Sequence, residues 1–206
     1  MARWAFPAFA AVMLLLPALP VPDFWITQSN YIGLYSLVTL GLVLLTGVGG
    51  LTSFGQAAFV GVGAYAAAFL AVKVGVSPWL TLFAGQALAV LIALVLGGIT
   101  LRMSGHYLPL ATICWGLMLY YTMGNMEWLG KYDGILGVPT LHLFGHDLGT
   151  GRGLHGVIWA IALAAAALAI NLLDSRPGRA IRSLKSGATM AEAMGISTLR
   201  YKITIF

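Results

Sequence analysis

The sequence predicts an all-α polytopic integral membrane protein, with about six transmembrane helices, the start of a seventh and a glycine-rich region where a helix is broken. Of its 206 residues, 60% are hydrophobic and only 8% are charged, and the mean hydropathy is +0.91. Soluble domains carry about 25% charged residues. The apolar runs also recur at lengths near the roughly 20 residues that a helix needs to cross a bilayer. Composition and run length therefore indicate a single transmembrane domain over residues 1–206.

The apolar runs predict helices in a fixed order along the chain. We expect spans at 4–20, 31–48, 57–73, 79–101, 107–125 and 155–173, with a seventh beginning near 203. The first run resembles a signal peptide, but 4–19 is long for one and the Pro20–Asp23 context is poor for cleavage, so we favour an uncleaved span over a cleaved one. The third is short and carries Gly61 and Gly63, which indicates a tilted, broken or partly re-entrant helix.

Charge patterning predicts the orientation of these spans. The loop 174–202 holds six of the eleven Lys and Arg residues, whereas the loop 126–154 is nearly balanced. Cytoplasmic loops carry an excess of Lys and Arg, so 174–202 is predicted to face the cytoplasm and 126–154 the outside. The net charge of +5 is explained in the same way and does not indicate nucleic-acid binding.

The segment 47–65 has six glycines in nineteen residues. Each glycine inside a helix costs about 1 kcal/mol relative to alanine, so this density needs an explanation. Close helix packing through small residues is one. The other is a break between two helices that lines a translocation path, as in transporters with discontinuous helices. The candidate path residues are Gly47, Gly50, Ser53, Gly55, Gln56, Gly61 and Gly63.

Other polar features carry weaker signals. The glycine-rich turn 130–139 is interpreted first as a solvated connector, and alternatively as a gate or docking surface on the outer face.

His142 and His146 lack the companions of a metal motif, so no metal site, cofactor or catalytic residue is predicted. His106 is interpreted as an interfacial residue. No acidic residue lies inside a predicted span, except for Glu127 at an edge, so a proton relay lacks its parts.

The cytoplasmic loop has the pattern of two short helices. Arg176, Arg179 and Arg182 recur every third residue and would share one helical side, and Pro177 fits a first turn. Residues 189–192 match a capping box, and Gly195 is a plausible C-terminal stop. The alternative is a positive-inside loop with incidental helicity. Because the spans offer no coupling acid, energy for any transport is expected from a partner that binds here.

Five stretches together resemble the permease family of branched-chain amino-acid ABC importers, in particular its LivM-type subunits. They are Gly47–Tyr65, Leu101–Tyr107 followed by Ala111-Thr112, Asp133–Pro139, Ser175–Arg182, and Ala191–Ile196 leading to Arg200-Tyr201-Lys202. The resemblance covers nearly the whole chain from about Leu34. It adds Tyr107 and Thr112 to the predicted translocation path.

The resemblance implies partners on both sides of the membrane. These are a second permease subunit, cytoplasmic ATP-binding subunits and an extracytoplasmic solute-binding protein, in the plasma (inner) membrane of a prokaryote. The ATPase-coupling residues are expected to be Arg179, Arg182, Ala191, Glu192, Ala193 and Gly195. Two departures stand out. Residues 186–189 lack the acidic residues expected before this pattern, and family chains continue through further spans, so the chain looks truncated at Phe206.

The sequence therefore predicts a permease subunit that moves branched-chain or related amino acids inward, driven by ATP hydrolysis on another polypeptide. The chain has no phosphate-binding G-x-x-x-x-G-K-[ST] pattern, so it is not expected to be the ATPase itself or an enzyme. The alternatives are a stand-alone channel or secondary carrier, or a truncated fragment that transports nothing. Within the family, a urea or amide permease is also open.

Overall fold

The computed structural model describes residues 2–103, 107–143 and 146–206, which are mostly helical. The helices are α1 (Ala2–Leu15), α2 (Asp23–Leu42), α3 (Gln56–Phe69), α4 (Pro78–Thr100), α5 (Tyr107–Asn125), α6 (Gly151–Asp174), α7 (Arg176–Ser186), α8 (Ala188–Ala193) and α9 (Thr198–Ile205). Two short strands, β1 (His142–Leu143) and β2 (His146–Asp147), form an antiparallel pair. The all-helical fold class predicted from the sequence is confirmed, apart from this hairpin.

Four helical segments among the described residues are long and apolar enough to cross a membrane. They are Asp23–Val48, Gln56–Val74, Pro78–Thr100 and Gly151–Asp174, and each matches a predicted span, although the first begins eight residues earlier than predicted. π-helical turns, Val43–Val48 and Leu70–Val74, extend α2 and α3 to these lengths.

The remaining predicted spans are not among these long apolar helices. The first apolar segment, Phe6–Ala18, is shorter than a full span, and α1, which overlaps it, contains Pro7. Helix α5 has the predicted bounds but is not among the four segments, and its Tyr120-Tyr121-Thr122 stretch is less apolar than their interiors. The last helix begins at Thr198, earlier than the predicted start near 203. The count of six spans and the start of a seventh therefore stays a prediction.

The chain divides into two compact units. One contains the described residues of Met1–Leu40 together with Thr140–Ser175, and the other contains Gly41–Pro139 with Arg176–Phe206. This division does not test the prediction that 1–206 is a single domain, which stays a prediction. The first unit holds α1, α6 and most of α2; the second holds α3, α4, α5 and the helices after α6.

A buried polar network holds the first unit together. The fully buried His155 contacts the Asn30 Oδ1 through Nδ1 at 2.7 Å and the Met13 carbonyl through Nε2 at 2.8 Å. At the same end of α6, the Arg152 guanidinium donates to the Asp23 carboxylate at 2.6 Å and to the carbonyl oxygens of Pro17 and Val21. Polar groups in an apolar unit need such partners, and these join α1 and α2 to α6.

In the second unit, α3 and α4 lie in close contact because α4 carries Gly85 at the crossing. A Cβ on Gly85 would lie 2.6 Å from the Gly63 carbonyl oxygen, so only glycine allows this approach. Phe206, the residue after α9, packs against α4, and its ring lies 2.7 Å from the position of a Cβ on Gly97. The same ring makes an edge-to-face contact with Phe59. Small residues bring the backbones together, as expected for helices in a membrane.

Candidate functional site

The predicted break in the glycine-rich segment is present. The π-helical turn after α2 ends at Val48, and regular helix resumes only at Gln56. Between them Gly50 adopts a left-handed backbone with φ of 70°, which a residue with a Cβ rarely adopts. The Thr46 hydroxyl donates to the Leu51 carbonyl at 3.1 Å and so satisfies one backbone group freed by the break. The glycine density therefore marks a real interruption of the helix.

Hydroxyl groups fix this break against α5. The Thr112 hydroxyl accepts a hydrogen bond from the Phe54 N–H at 3.1 Å and donates to the Pro109 carbonyl at 2.8 Å. The Ser53 hydroxyl accepts from the Gly55 N–H at 3.4 Å. Ser53 and Thr112 are only 3% and 2% exposed, and a Cβ on Gly55 would lie 3.3 Å from the Thr112 carbonyl oxygen. These predicted path residues thus anchor the break.

A cavity of about 410 Å³ lies beside this anchor, between α3 and α5. Gly61 is the predicted path residue that lines it, and Gly116 and Gly124 provide space on the α5 side. Its aromatic lining consists of Phe54, Tyr65, Tyr120 and Tyr132, and Lys131 also borders it. Pockets that bind small molecules have volumes of about 300–1,000 Å³ and mostly apolar walls with few polar groups. The cavity has the size and lining of such a pocket.

The tyrosines of this cavity were not among the predicted site residues. For Tyr65 and Tyr120, helical spacing indicates which residues share their face: Ala58, Gly61 and Tyr65 follow an i, i+3, i+7 pattern on α3. Gly116, Tyr120 and Gly124 do so at i, i+4, i+8 on α5. Composition alone does not show that these two faces meet.

The other predicted path residues lie elsewhere in the second unit. Gly63 faces α4 at the Gly85 crossing. Tyr107 is 66% exposed at the start of α5, and Gln56 is half-buried with its Oε1 3.9 Å from the position of a Cβ on Gly41. His106 lies outside the described residues. The predicted path therefore does not form one surface within this chain.

Gly47 and Gly50 contact the loop that follows α6. The Lys185 side-chain amine donates to the Gly47 carbonyl at 2.9 Å. A Cβ on Gly50 would lie 3.2 Å from the Lys185 Cγ and 3.3 Å from its Cα. The break is thus held on one side by α5, through Thr112, and on the other by α7, through Lys185.

The two helices predicted in this loop are present as α7 and α8. In α7, Ile181 and Leu184 are buried while Arg176, Arg179 and Arg182 are exposed, so the three arginines share the outer side as predicted. Pro177 lies in the first turn, where its missing N–H leaves no helical bond unmade. The three arginines of α7 therefore lie on one exposed face.

Of the two signals predicted for α8, the C-terminal stop at Gly195 is confirmed and the N-terminal capping box is wrong. Gly195 has φ of 80°, its N–H donates to the Glu192 carbonyl at 2.9 Å, and the Ile196 N–H donates to the Ala191 carbonyl at 3.0 Å. These bonds end the helix at a left-handed glycine. The predicted capping box is not formed, because Gly187 precedes the helix and Thr189 lies inside it. The Glu192 carboxylate instead accepts from the Thr198 hydroxyl at 2.5 Å.

The outer side of α8 exposes apolar and acidic groups together. Ala191 is buried, but Glu192, Ala193 and Gly195 are exposed. Met190 and Met194 are 73% and 78% exposed, and methionine is adaptable at protein interfaces. We name the exposed arginines of α7, together with Met190 and the exposed residues 192–195 at the end of α8, the loop surface; it comprises Arg176, Arg179, Arg182, Met190, Glu192, Ala193, Met194 and Gly195.

The histidine-containing loop forms no metal centre among the described residues. No group of three or more His, Cys, Asp or Glu side chains in residues 2–103, 107–143 and 146–206 is arranged to hold an ion. The His142 Nδ1 lies 3.9 Å from the Asp147 carboxylate, while His155 is in the buried network of the first unit.

Comparison with known proteins gives one match. Residues 24–206 match the family described as the branched-chain amino acid transport system / permease component. No curated protein and no solved structure matches the chain. The family match covers more than four-fifths of the sequence and includes the helix break, the aromatic cavity and the loop surface. The chain therefore belongs to the branched-chain amino acid transport permease family and is a multi-pass membrane protein.

Proposed function

We propose that the protein is the membrane-spanning subunit of an ABC importer, which moves branched-chain or related amino acids inward. ATP hydrolysis takes place on a separate cytoplasmic subunit that binds the loop surface. A second permease subunit completes the pathway, and an extracytoplasmic binding protein delivers the solute. The protein itself is not an enzyme, and its setting is the inner membrane of a prokaryote.

The observation that carries this proposal is the direct contact between the loop and the broken helix. Lys185 belongs to α7, which carries the exposed arginines, and it bonds Gly47 at the start of the break. A partner that moves α7 would therefore act on the break without any intervening element. The break is in turn bonded to α5 through Phe54 and Thr112. Phe54 also lines the aromatic cavity.

The charge pattern supports binding of a soluble partner at the loop surface. Six of the eleven basic residues lie in 174–202, which favours the cytoplasmic side. Met190 and Met194 place two apolar side chains in contact with solvent. Exposed apolar groups with a charged rim are typical of protein interfaces. Glu192 adds an acidic group between these methionines.

The experiment that tests the proposal is co-purification with the ABC-type ATPase of the proposed importer, co-expressed with the protein. We expect the wild-type protein to retain the ATPase, and Met194→Asp and Glu192→Lys to lose it while inserting normally. Leu136→Asp is the matched control, because Leu136 is 79% exposed but lies in the loop predicted to face outward. Retention of the ATPase by both loop variants would contradict the proposed partner surface.

A further inference from the structure

The aromatic cavity has one charged lining residue. Among the described residues that line it and the neighbouring apolar cavity of about 490 Å³, Lys131 alone carries a formal charge. The remaining groups are aliphatic, aromatic or glycine, apart from the tyrosine hydroxyls and Thr122. A cavity with apolar walls and one cation is suited to a small solute that carries an apolar part and a single carboxylate.

Backbone conformation fixes the position of Lys131. Its φ of 54° is the only positive value at a non-glycine residue in the described part of the chain, and such values are uncommon outside glycine. Gly130 and Gly134 on either side also have positive φ, at 81° and 73°. A Cβ on Gly130 would overlap the Gly134 carbonyl group. The turn is therefore tight, and it presents Lys131 at a defined place.

The same turn bridges the two helices that form the cavity. The Tyr132 ring lies against Gly124 of α5, 2.5 Å from the position that a Cβ would occupy, and its centroid lies 6.1 Å from that of Tyr120. On the α3 side, the Tyr65 hydroxyl lies 3.8 Å from the position of a Cβ on Gly134. The turn thus closes the end of the cavity that the chain's charge pattern places outward.

Lys131 already binds a carboxylate that is easily replaced. Its amine lies 2.9 Å from the Glu127 Oε1, and the two side chains are 57% and 84% exposed. Exposed ion pairs of this kind contribute little to stability. A carboxylate that enters the cavity can therefore take the place of Glu127 at small cost, while the aromatic walls contact the rest of the solute.

We propose that Lys131 is the carboxylate-binding residue of this cavity, and that the solute carboxylate displaces Glu127 from it. This inference rests on the proposed transport of amino acids and deepens it, because it assigns selectivity to one residue of the outer turn. Solutes that lack a carboxylate, such as amides and urea, lose this interaction. Of the two interpretations of the turn 130–139, this favours the gate or docking surface over the solvated connector.

Direct binding tests the inference without the ATPase. Labelled leucine and leucinamide are titrated onto the purified protein in lipid nanodiscs. We expect Lys131→Met to weaken leucine binding about tenfold, since a charge-assisted bond is removed, and to leave leucinamide binding unchanged or tighter. Lys131→Arg should keep the preference for leucine. Glu127→Gln should tighten leucine binding, because the competing carboxylate is gone. Lys73→Met, at a lysine that lines neither cavity, is the matched control.

The outcomes separate the inference from the proposed function. Equal leucine binding by wild type and Lys131→Met would overturn the inference. An equal loss of both ligands, or no leucine binding by the wild type, would overturn it as well. Loss of ATPase association with a preserved, Lys131-dependent preference for leucine would contradict only the proposed function.

Discussion

The side-chain amine of Lys185 donates a hydrogen bond to the backbone carbonyl of Gly47 at 2.9 Å. Gly47 is in the π-helical turn that ends α2, and Lys185 is in the last turn of α7. The carbonyl is available because the helix stops within a few residues and leaves its last acceptors without helical partners. The helix break and the basic loop are therefore linked directly by this hydrogen bond.

Removal of this bond should uncouple the loop from the break. We expect Lys185→Met to insert and to bind the ATPase, because Lys185 is not part of the loop surface, but to lower solute-stimulated ATP hydrolysis severalfold. The loss of one solvent-exposed hydrogen bond corresponds to about 1 kcal/mol, a factor of about five. Hydrolysis in proteoliposomes measures this, with Lys202→Met in α9 as a control. Wild-type stimulation in Lys185→Met would show that the contact transmits nothing.

The crossing of α3 and α4 should tolerate no added methyl group. We expect Gly85→Ala to lower stability by about 1–3 kcal/mol, because its Cβ would press on the Gly63 carbonyl and force the helices apart. The thermal midpoint in detergent measures the loss. Gly98→Ala on the same helix is the control, since nothing lies within 4 Å of its Cβ position, and it should be neutral or stabilising. Equal midpoints for the two variants would contradict the tight crossing.

Local patterns in the sequence predicted the features that depend on neighbours along the chain. The density of glycine around Gly50 located the helix break, and Gly195 located the end of α8. The capping box at 189–192 was wrong because Glu192 has a partner that is six residues further on, Thr198, which a local pattern does not include.

Features that depend on which helix faces meet were not predictable in the same way. The sequence showed neither that Gly63 lies against α4 nor that Tyr120 lines a cavity with α3. Both depend on contacts between α3 and another helix, α4 in one case and α5 in the other. A glycine that permits close packing and a glycine that lines a cavity look alike in a single sequence.

The hairpin before α6 should depend on the charge of Asp147. The Thr140 hydroxyl, the Gly149 N–H and the electrostatic influence of the nearby His142, in that order, hold the pKa of Asp147 below its ordinary value of 3.8. Because this pKa is lower in the folded protein, the ionised carboxylate stabilises the hairpin at pH values above the ordinary pKa. The stabilisation is lost as the pH falls through the lower pKa of the folded protein. Hydrogen exchange of the 140–149 backbone should therefore rise below pH 3.8 relative to Asp147→Asn. A pH dependence identical in both proteins would contradict the assignment.

The loops 126–154 and 174–202 should lie on opposite sides of the membrane. In a Cys114→Ser background, we expect Leu136→Cys to react with an impermeant thiol reagent added to intact cells, since Leu136 is 79% exposed. Met194→Cys, with a 78% exposed position, should react only after the cells are opened. Labelling of Met194→Cys in intact cells would reverse the topology inferred from the basic residues.

Uptake of labelled leucine into proteoliposomes tests the central claim most directly. The protein, as its genome encodes it, is reconstituted with its second permease subunit and ATPase, with ATP inside and the binding protein outside. We predict accumulation that requires internal ATP, persists when ion gradients are dissipated and is abolished by Met194→Asp. Accumulation that proceeds without ATP and follows a proton or sodium gradient would contradict the account and identify a secondary carrier.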